Sequence, residues 1–373
     1  MHLAGPVAQN YLVEFGVSVN PIALGIEQLQ TNPSVVLGKV SATNVPDFAR
    51  GSGYLFRKGD VLNLADRAEI AGKVTSLIEH APPNYQMHLI GLTEGEVSED
   101  EAGMRLARLV AGPGVELRGP VESRVNLVST RRGLLRIDLA RLNRLNELSG
   151  VAVFTLYDAM AVNAGTEVAG AKVIPLVYSL ELLEQVAQIT QGKPVVDVLP
   201  FQPFKVGVVV REQLKPGPRA RFMEAVERKL AWFGSELLGV AVTENNPQSL
   251  VEHLSEFKER GADLILHVGG HASDPLDPVF PALEQLDIRM ERLGSPAHPG
   301  TLFWLAYWQE TALFGLASCG MFSRTTLGDL FLARLLAGEH LTSDTIARMG
   351  YGGLFTREMA FRFPPYGLKD QED

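Results

Sequence analysis

The sequence predicts an α/β protein: a three-layer α/β/α domain with a mostly parallel sheet, preceded by β-rich and α+β modules. Three observations carry that prediction. From Lys205 to Gly338 short apolar runs alternate with longer amphipathic ones, as in strands joined by right-handed crossover helices on both faces of a sheet. From Glu96 to Gln191 the apolar runs are shorter and broken by Gly, Asn and Ser, which suits a β-rich module. Between them, Gly192 to Gln202 carries Pro194 and Pro200 and reads as a linker. The chain has 373 residues, too many for one compact core. The expected organisation is an α+β region at 1–95, the β-rich module at 96–191, the linker at 192–202, the α/β domain at 203–340 and a tail at 341–373.

The elements follow in order. Tyr11 to Val19 alternates weakly and is read as strand. Leu64 to His80 is helical in pattern and is broken by Ala81-Pro82-Pro83-Asn84. Met87 to Leu92 reads as a buried strand. Ser98-Glu99-Asp100-Glu101 is a capping box that opens a helix to Val110. Val125 to Val128 and Leu134 to Ile137 flank Ser129-Thr130-Arg131-Arg132-Gly133 and read as a hairpin. A short helix after Asp138, a strand from Val151 and a helix from Ser179 to Ile189 complete this part. Beyond the linker, Lys205 to Val210 is an apolar strand. Arg219 to Phe233 is a helix with Phe222, Val226, Leu230 and Phe233 on one stripe. Leu237 to Val242 is a strand, and Asn246-Pro247 opens a helix that Gly261 closes. Leu264 to Val268, Leu302 to Trp308 and Ala312 to Leu316 are strands, and Thr326 to Ala337 is the last helix.

Composition narrows the function classes. The net charge is −9, and no basic stripe stands apart from carboxylates, so a nucleic-acid partner is not expected. The apolar runs are too short to span a membrane, and no signal peptide is visible. A single cysteine, Cys319, excludes an intramolecular disulfide and a cysteine-rich zinc site. A cytoplasmic location is expected. An acidic protein can still bind an anionic small molecule through local donors.

Ligands of such sheets sit beyond the carboxyl ends of the strands. Four loops belong there: Arg211 to Gly217, Gly269 to Asp277, Ser295 to Thr301 and Ala317 to Arg324. Gly269-Gly270 lets a backbone approach a ligand closely, and Ser273 stands behind it. Glu212 and Asp277 come from neighbouring loops and together could hold Mg²⁺ against substrate oxygens. Such a metal would neutralise a phosphate in transfer chemistry, with Asp277, Glu212 and Asp274 as the catalytic candidates. Each residue has a plainer reading. Gly-Gly after a strand is often a turn. Asp274 and Asp277 also look like caps before Pro275 and Pro278. His271 and His298 suit hydrogen-bonding loop positions, Cys319 a small packed residue, and Trp304 and Trp308 the core. Arg324 reads either as a phosphate clamp or as a surface arginine.

In their order these loops resemble those of the molybdopterin-binding domain of molybdenum-cofactor biosynthesis proteins. The family's first strand typically ends in Thr-Gly-Asp-Glu, and Glu212 falls at its first acid. Gly269-Gly270, Ser273 and Asp277 match a Gly-Gly-x-Ser motif with acids behind it. Pro299-Gly300 matches a Pro-Gly-Lys-Pro turn, with Thr301 replacing the lysine. Gly315, Cys319 and Ser323 fit a Gly-x-x-x-Cys-x-x-Ser variant of proteins that join this domain to a nucleotidyltransferase. Asn126-Leu127, Arg132-Gly133-Leu134-Leu135 and Val168 to Pro175 are similar to the module that precedes the domain in that subgroup. The bacterial molybdenum insertase and gephyrin group is also similar.

The resemblance implies molybdopterin or the molybdenum cofactor as ligand, with Mg²⁺ and ATP if the chain is an enzyme. It implies cofactor contacts at Gly269, Gly270, Ser273, Pro299, Gly300, Ser318, Gly320, Ser323 and Arg324. The metal would sit at Glu212 and Asp277. It implies a molybdoenzyme or another biosynthesis protein as partner, and it leaves homo-oligomerisation open. Two functions stay open: adenylyl transfer or molybdenum insertion, and a non-catalytic module that carries or senses the cofactor.

Overall fold

The computed structural model describes residues 20–211, 215–244, 246–269, 273–316 and 326–366. The strand reading at 11–19 lies outside them. The chain forms two compact units. One comprises residues 1–130, 137–156 and 165–197, and the other 131–136, 157–164 and 198–373.

The first unit contains two sets of elements. An antiparallel sheet of Pro21–Gly25, Gln86–Gly91 and Lys39–Ser41 packs with the helix Arg67–His80 around Leu29, Val74, Leu77, Met87 and Leu89, all 0 % exposed. The second set is a four-stranded sheet in the order Val151–Thr155, Glu167–Val173, Arg124–Ser129, Val115–Val121. The helix Glu99–Val110 accompanies it, with Ser98 Oγ accepting from Glu101 N as its N-cap, while Glu101 Oε1 pairs with Arg105.

The second unit holds the mostly parallel α/β sheet that the fold class predicts. Its elements are numbered here in chain order: β1 (Lys205–Val210), α1 (Pro216–Phe233), β2 (Glu236–Val242), α2 (Pro247–Glu259), β3 (Leu264–Val268), α3 (Val279–Gln285), β4 (Arg289–Leu293), β5 (Trp304–Trp308), β6 (Thr311–Leu316) and α4 (Leu327–Leu336). The sheet order is β2-β1-β3-β6-β5-β4. The first four strands are parallel, and β5 and β4 complete the sheet through antiparallel pairings. Strand alternation sorts the side chains into two layers. Val206, Val208 and Val210 face Phe222, Leu230 and Phe233 of α1 and Leu330 and Phe331 of α4. Val209 and Ile265 face Leu250, Leu254 and Phe257 of α2 and Val279 and Leu283 of α3. Gly207 admits Phe257 against the sheet, because a Cβ there would lie 2.5 Å from the ring.

The helix boundaries have local causes. Pro216 occupies the first turn of α1, and Gly234 ends it at φ +77°. Asn246 Oδ1 accepts from Ser249 N at 2.9 Å to open α2. Thr326 and Asp329 form the capping box of α4.

Four segments depart from the sequence reading. No hairpin joins Arg124–Ser129 to Gly133–Ile137. The latter strand pairs instead with Ala161–Val162 and Val196–Pro200. Leu134 and Leu135 are both 0 % exposed, so the strand is covered on both faces and cannot lie at the rim of a hairpin. Gly133 permits the close pairing, since a Cβ would meet Leu199 O at 2.2 Å. Within 192–202, residues 196–200 are therefore a strand, because backbone pairing overrides the proline content. Strand β4 was not expected. Its Arg-Met-Glu-Arg-Leu sequence suits a sheet edge and carries no apolar run to reveal it. After α4 the chain continues in the core: Leu341, Ile346, Phe363 and Tyr366 are buried, with a short helix at Ser343–Ala347.

Leu134 and Ala161 belong to the same core cluster as β1, α1 and α4, although both precede the linker. Leu134→Ala should cost roughly 2–5 kcal/mol. All three tryptophans, Trp232, Trp304 and Trp308, lie in the second unit, so the urea transition of tryptophan fluorescence reports it directly. A fragment starting at Pro203 lacks both residues and should melt at lower urea than the full chain. An equal midpoint would show that residues 131–136 contribute no stability to the α/β core.

Candidate functional site

In the order β2-β1-β3-β6 the chain leaves β1 toward one edge and returns to the other side of it. The topological switch point therefore lies between β1 and β3. The backbone ladder runs one residue past the strands there. Arg211 N donates to Val268 O at 2.9 Å, and Gly269 N donates to Leu316 O at 3.0 Å. Gly269 adopts φ +101°, a left-handed conformation that favours glycine. Because β5 is antiparallel to both β4 and β6, the loop between β4 and β5 also emerges on this carboxyl edge. It carries Pro299 and Gly300.

Asp277 is 0 % exposed. Its Oδ2 lies 2.5 Å from Arg211 Nη1, and its Oδ1 accepts from Val279 N at 3.0 Å. The carboxylate thus joins the end of β1 to the start of α3, as ion-pair partner of Arg211 and acceptor for the Val279 amide. The guanidinium side chain keeps 17 % exposure. Asp274 is half-buried and its Oδ1 accepts from Leu276 N at 2.9 Å. Ser273 and Pro299 are exposed.

His267 on β3 is 1 % exposed, and neither ring nitrogen has a hydrogen-bond partner among the described residues. Its ring centroid is 5.8 Å from that of Trp304. Burial pushes its pKa down to about 4. The Asp277 charge opposes that shift and the Arg211 charge reinforces it. A neutral imidazole therefore lies within electrostatic reach of the ion pair.

Two motif glycines have packing causes. Gly315 pairs with Trp304 across β5 and β6, and a Cβ there would fall 1.9 Å from the indole nitrogen. Gly300 has φ +128°, and a Cβ would fall 2.6 Å from Leu327 Cβ. The segment after α4 braces this third loop: His298 N donates to Gly353 O and Phe355 N to His298 O, each at 2.8 Å.

Glu212, Gly270, Ser318, Gly320, Ser323 and Arg324 lie outside the described residues, as do His271 and Cys319. Of the other candidate residues, Gly269, Ser273, Asp274 and Asp277 share the loop after β3, and Pro299 and Gly300 share the third loop of the same edge. Sequence reasoning passes over Arg211 and His267. Their signals are a cation directly after a buried strand and a lone polar residue inside Leu264–Val268. Among the described residues no group of three or more His, Cys, Asp or Glu side chains is placed to hold a metal ion. An apolar cavity of about 70 Å³ lies between α1 and α4. Its lining lysine, Lys229, sits 2.9 Å from Asp329 Oδ1, so this cavity is a poor site for an anion.

No family model matches the sequence, and no curated protein matches it. Among solved structures, the chain is similar to a molybdopterin biosynthesis MoeA protein from Pyrococcus horikosii. The identity is 13 % over 89 % of this chain and 78 % of that one, with a TM-score of 0.28. It is also similar to the tungsten cofactor synthesizing protein MoaB from Pyrococcus furiosus. There the identity is 14 % over 35 % of this chain and 88 % of that one, with a TM-score of 0.25. No helix among the described residues is long and apolar enough to cross a membrane.

Two outcomes follow from the buried charges. An exposed metal ligand would tolerate Asp277→Asn. A buried ion-pair partner would not, and this change should cost on the order of 3 kcal/mol in a urea melt, while His298→Ala on the exposed loop should cost under about 0.5 kcal/mol. The second outcome concerns pH. An unfolded histidine binds its proton near 6.5, but buried His267 does so only near 4. The unfolded state is protonated first, so the stability contributed by the neutral ring is complete above about pH 6.5 and is lost as pH falls toward 4. The urea midpoint should drop between pH 7 and 5, and His267→Phe should flatten that slope. A slope that persists in His267→Phe has another source.

Proposed function

We propose that this chain binds molybdopterin or the molybdenum cofactor through its phosphate at the carboxyl edge of β1 and β3. In this reading it is a binding module in cofactor biosynthesis or handling, and not a Mg²⁺-dependent transferase. The carrying observation is the state of Asp277. It is the carboxylate on which the metal-assisted mechanism leans, yet it is fully buried, paired with Arg211 and accepting from Val279 N. Mg²⁺ requires near-octahedral oxygen coordination and retains several waters. The described residues do not fit that requirement, so no chemical step is assigned to a metal here. Thr301 at the family's lysine position points the same way. The ligand assignment itself is supported by Gly269, Ser273, Asp277, Pro299 and Gly300 standing on one sheet edge at a topological switch point.

A module of this kind would hold the pterin and pass it to a client molybdoenzyme or a later biosynthetic protein. The test is direct. Purified chain should bind molybdopterin with similar affinity in EDTA and in Mg²⁺. Adding ATP and Mg²⁺ should leave the bound pterin unchanged by mass spectrometry. Conversion of the pterin to an adenylylated product would restore the transferase reading, and failure to bind molybdopterin under either condition would remove the ligand assignment.

A further inference from the structure

We propose that the turn at residues 350–353, in the segment after α4, completes the carboxyl-edge site, with Tyr351 stacking on the planar nitrogen heterocycle of the ligand. This inference rests on the reading of that edge as a pterin-phosphate site and names the residue that holds the ring.

The turn is fixed against the third loop by backbone contacts. His298 N donates to Gly353 O and Phe355 N to His298 O, each at 2.8 Å, so His298 and Leu354 form a parallel bridge. Gly353 N donates to Gly350 O at 3.1 Å and closes the turn. Arg362 Nη1 donates to Gly352 O at 2.6 Å. Gly352 adopts φ +74°, a conformation that favours glycine. A Cβ at Gly353 would lie 2.6 Å from both Met349 O and Pro296 O. Glycine at that position is what lets the turn lie flush against the loop that carries Pro299 and Gly300.

Within this anchored turn one side chain is left over. Tyr351 is 98 % exposed, so its ring adds nothing to the packing of the segment. A ring held out on a fixed backbone presents a flat apolar face with a polar tip. Tyrosine has only two side-chain torsions to order, so stacking on it costs little conformational entropy. Tyr351 lies two residues before Gly353, a stretch that spans at most about 7 Å, and Gly353 is bonded to His298. The ring therefore stands beside the third loop.

That position sets the shape of the ligand. In the order β3-β6-β5, a phosphate held at the end of β3 lies two strand spacings, about 10 Å, from the start of β5 where the third loop ends. A ligand that engages both places carries its ring about that far from its phosphate. An extended phosphorylated pterin has this form. A nucleoside monophosphate offers the same two groups, a planar nitrogen heterocycle and a phosphate, and serves as the competing source.

The experiment is calorimetric titration of the full chain with molybdopterin and, separately, with AMP, for the parent, Tyr351→Trp and Tyr351→Leu. The expected result is a loss of molybdopterin affinity on the order of tenfold or more in Tyr351→Leu and little change in Tyr351→Trp. Leucine keeps an apolar side chain but removes the planar face, whereas tryptophan keeps it. All three should share one urea midpoint, because the side chain is exposed. Equal molybdopterin affinity in the parent and Tyr351→Leu, or a loss in Tyr351→Trp as large as in Tyr351→Leu, would overturn this inference and leave the pterin reading standing. A chain that binds AMP through Tyr351 but not molybdopterin would sink the pterin reading alone. A parent that binds neither ligand would sink both. Concentration-dependent dimerisation in sedimentation that Tyr351→Leu abolishes would assign the ring to an interface between copies of the chain, and would also overturn the inference.

Discussion

The constraint on which the carboxyl edge depends is the burial of one carboxylate. Asp277 has no exposure at all, and an uncompensated charge in that position would be strongly destabilising. Its partners therefore have to be in place whenever the domain is folded. Among them are Arg211 at the end of β1 and the Val279 amide in the first turn of α3. The same contact fixes the course of the loop after β3, the exit of the chain from β1 and the electrostatic character of the edge. Ladder bonds from Arg211 to Val268 and from Gly269 to Leu316 carry this order across β1, β3 and β6.

Much of the second unit was legible because its elements are specified locally. The run Val206 to Val210, the Asn246-Pro247 cap and the Leu264–Val268 strand all carry their signal within a few residues. The N-cap at Ser98 in the first unit is of the same kind. What the sequence hid is tertiary. Gly133–Ile137 has the alternation of a hairpin arm, but its partners lie at Ala161–Val162 and Val196–Pro200. Strand β4 is charged and short, and its strand character depends on β5 beside it. Arg211 and Asp277 are separated in the chain by α1, β2, α2 and β3, so no spacing rule links them.

The candidate site shows the same division. Gly315 and Gly300 stand out as motif residues, and each has a steric reason that only packing discloses: the indole of Trp304 and the side chain of Leu327. Such glycines remain compatible with a ligand nearby, but they do not require one. His267 is the converse case. A polar residue inside an apolar strand reads as noise in a hydropathy pattern. Its ring lies flanked by Val209 and Gly315 on the neighbouring strands and near Trp304, and it behaves there as an aromatic core residue that stays neutral.

The interrupted course of the chain through its two units has a consequence for how such a protein could arise and be synthesised. Leu134 leaves the ribosome long before Val206, the β1 residue that shares its core cluster. Its Ala161–Val162 partner follows within the span of the first unit, but Val196–Pro200 and β1 come only later. In a gene, no single junction separates the two units, because residues 131–136 and 157–164 of the second lie inside the span of the first. An exchange by simple end-to-end fusion at the proline-bearing stretch would leave one product with two orphaned strands and the other without them. A single crossover there cannot exchange the second unit intact.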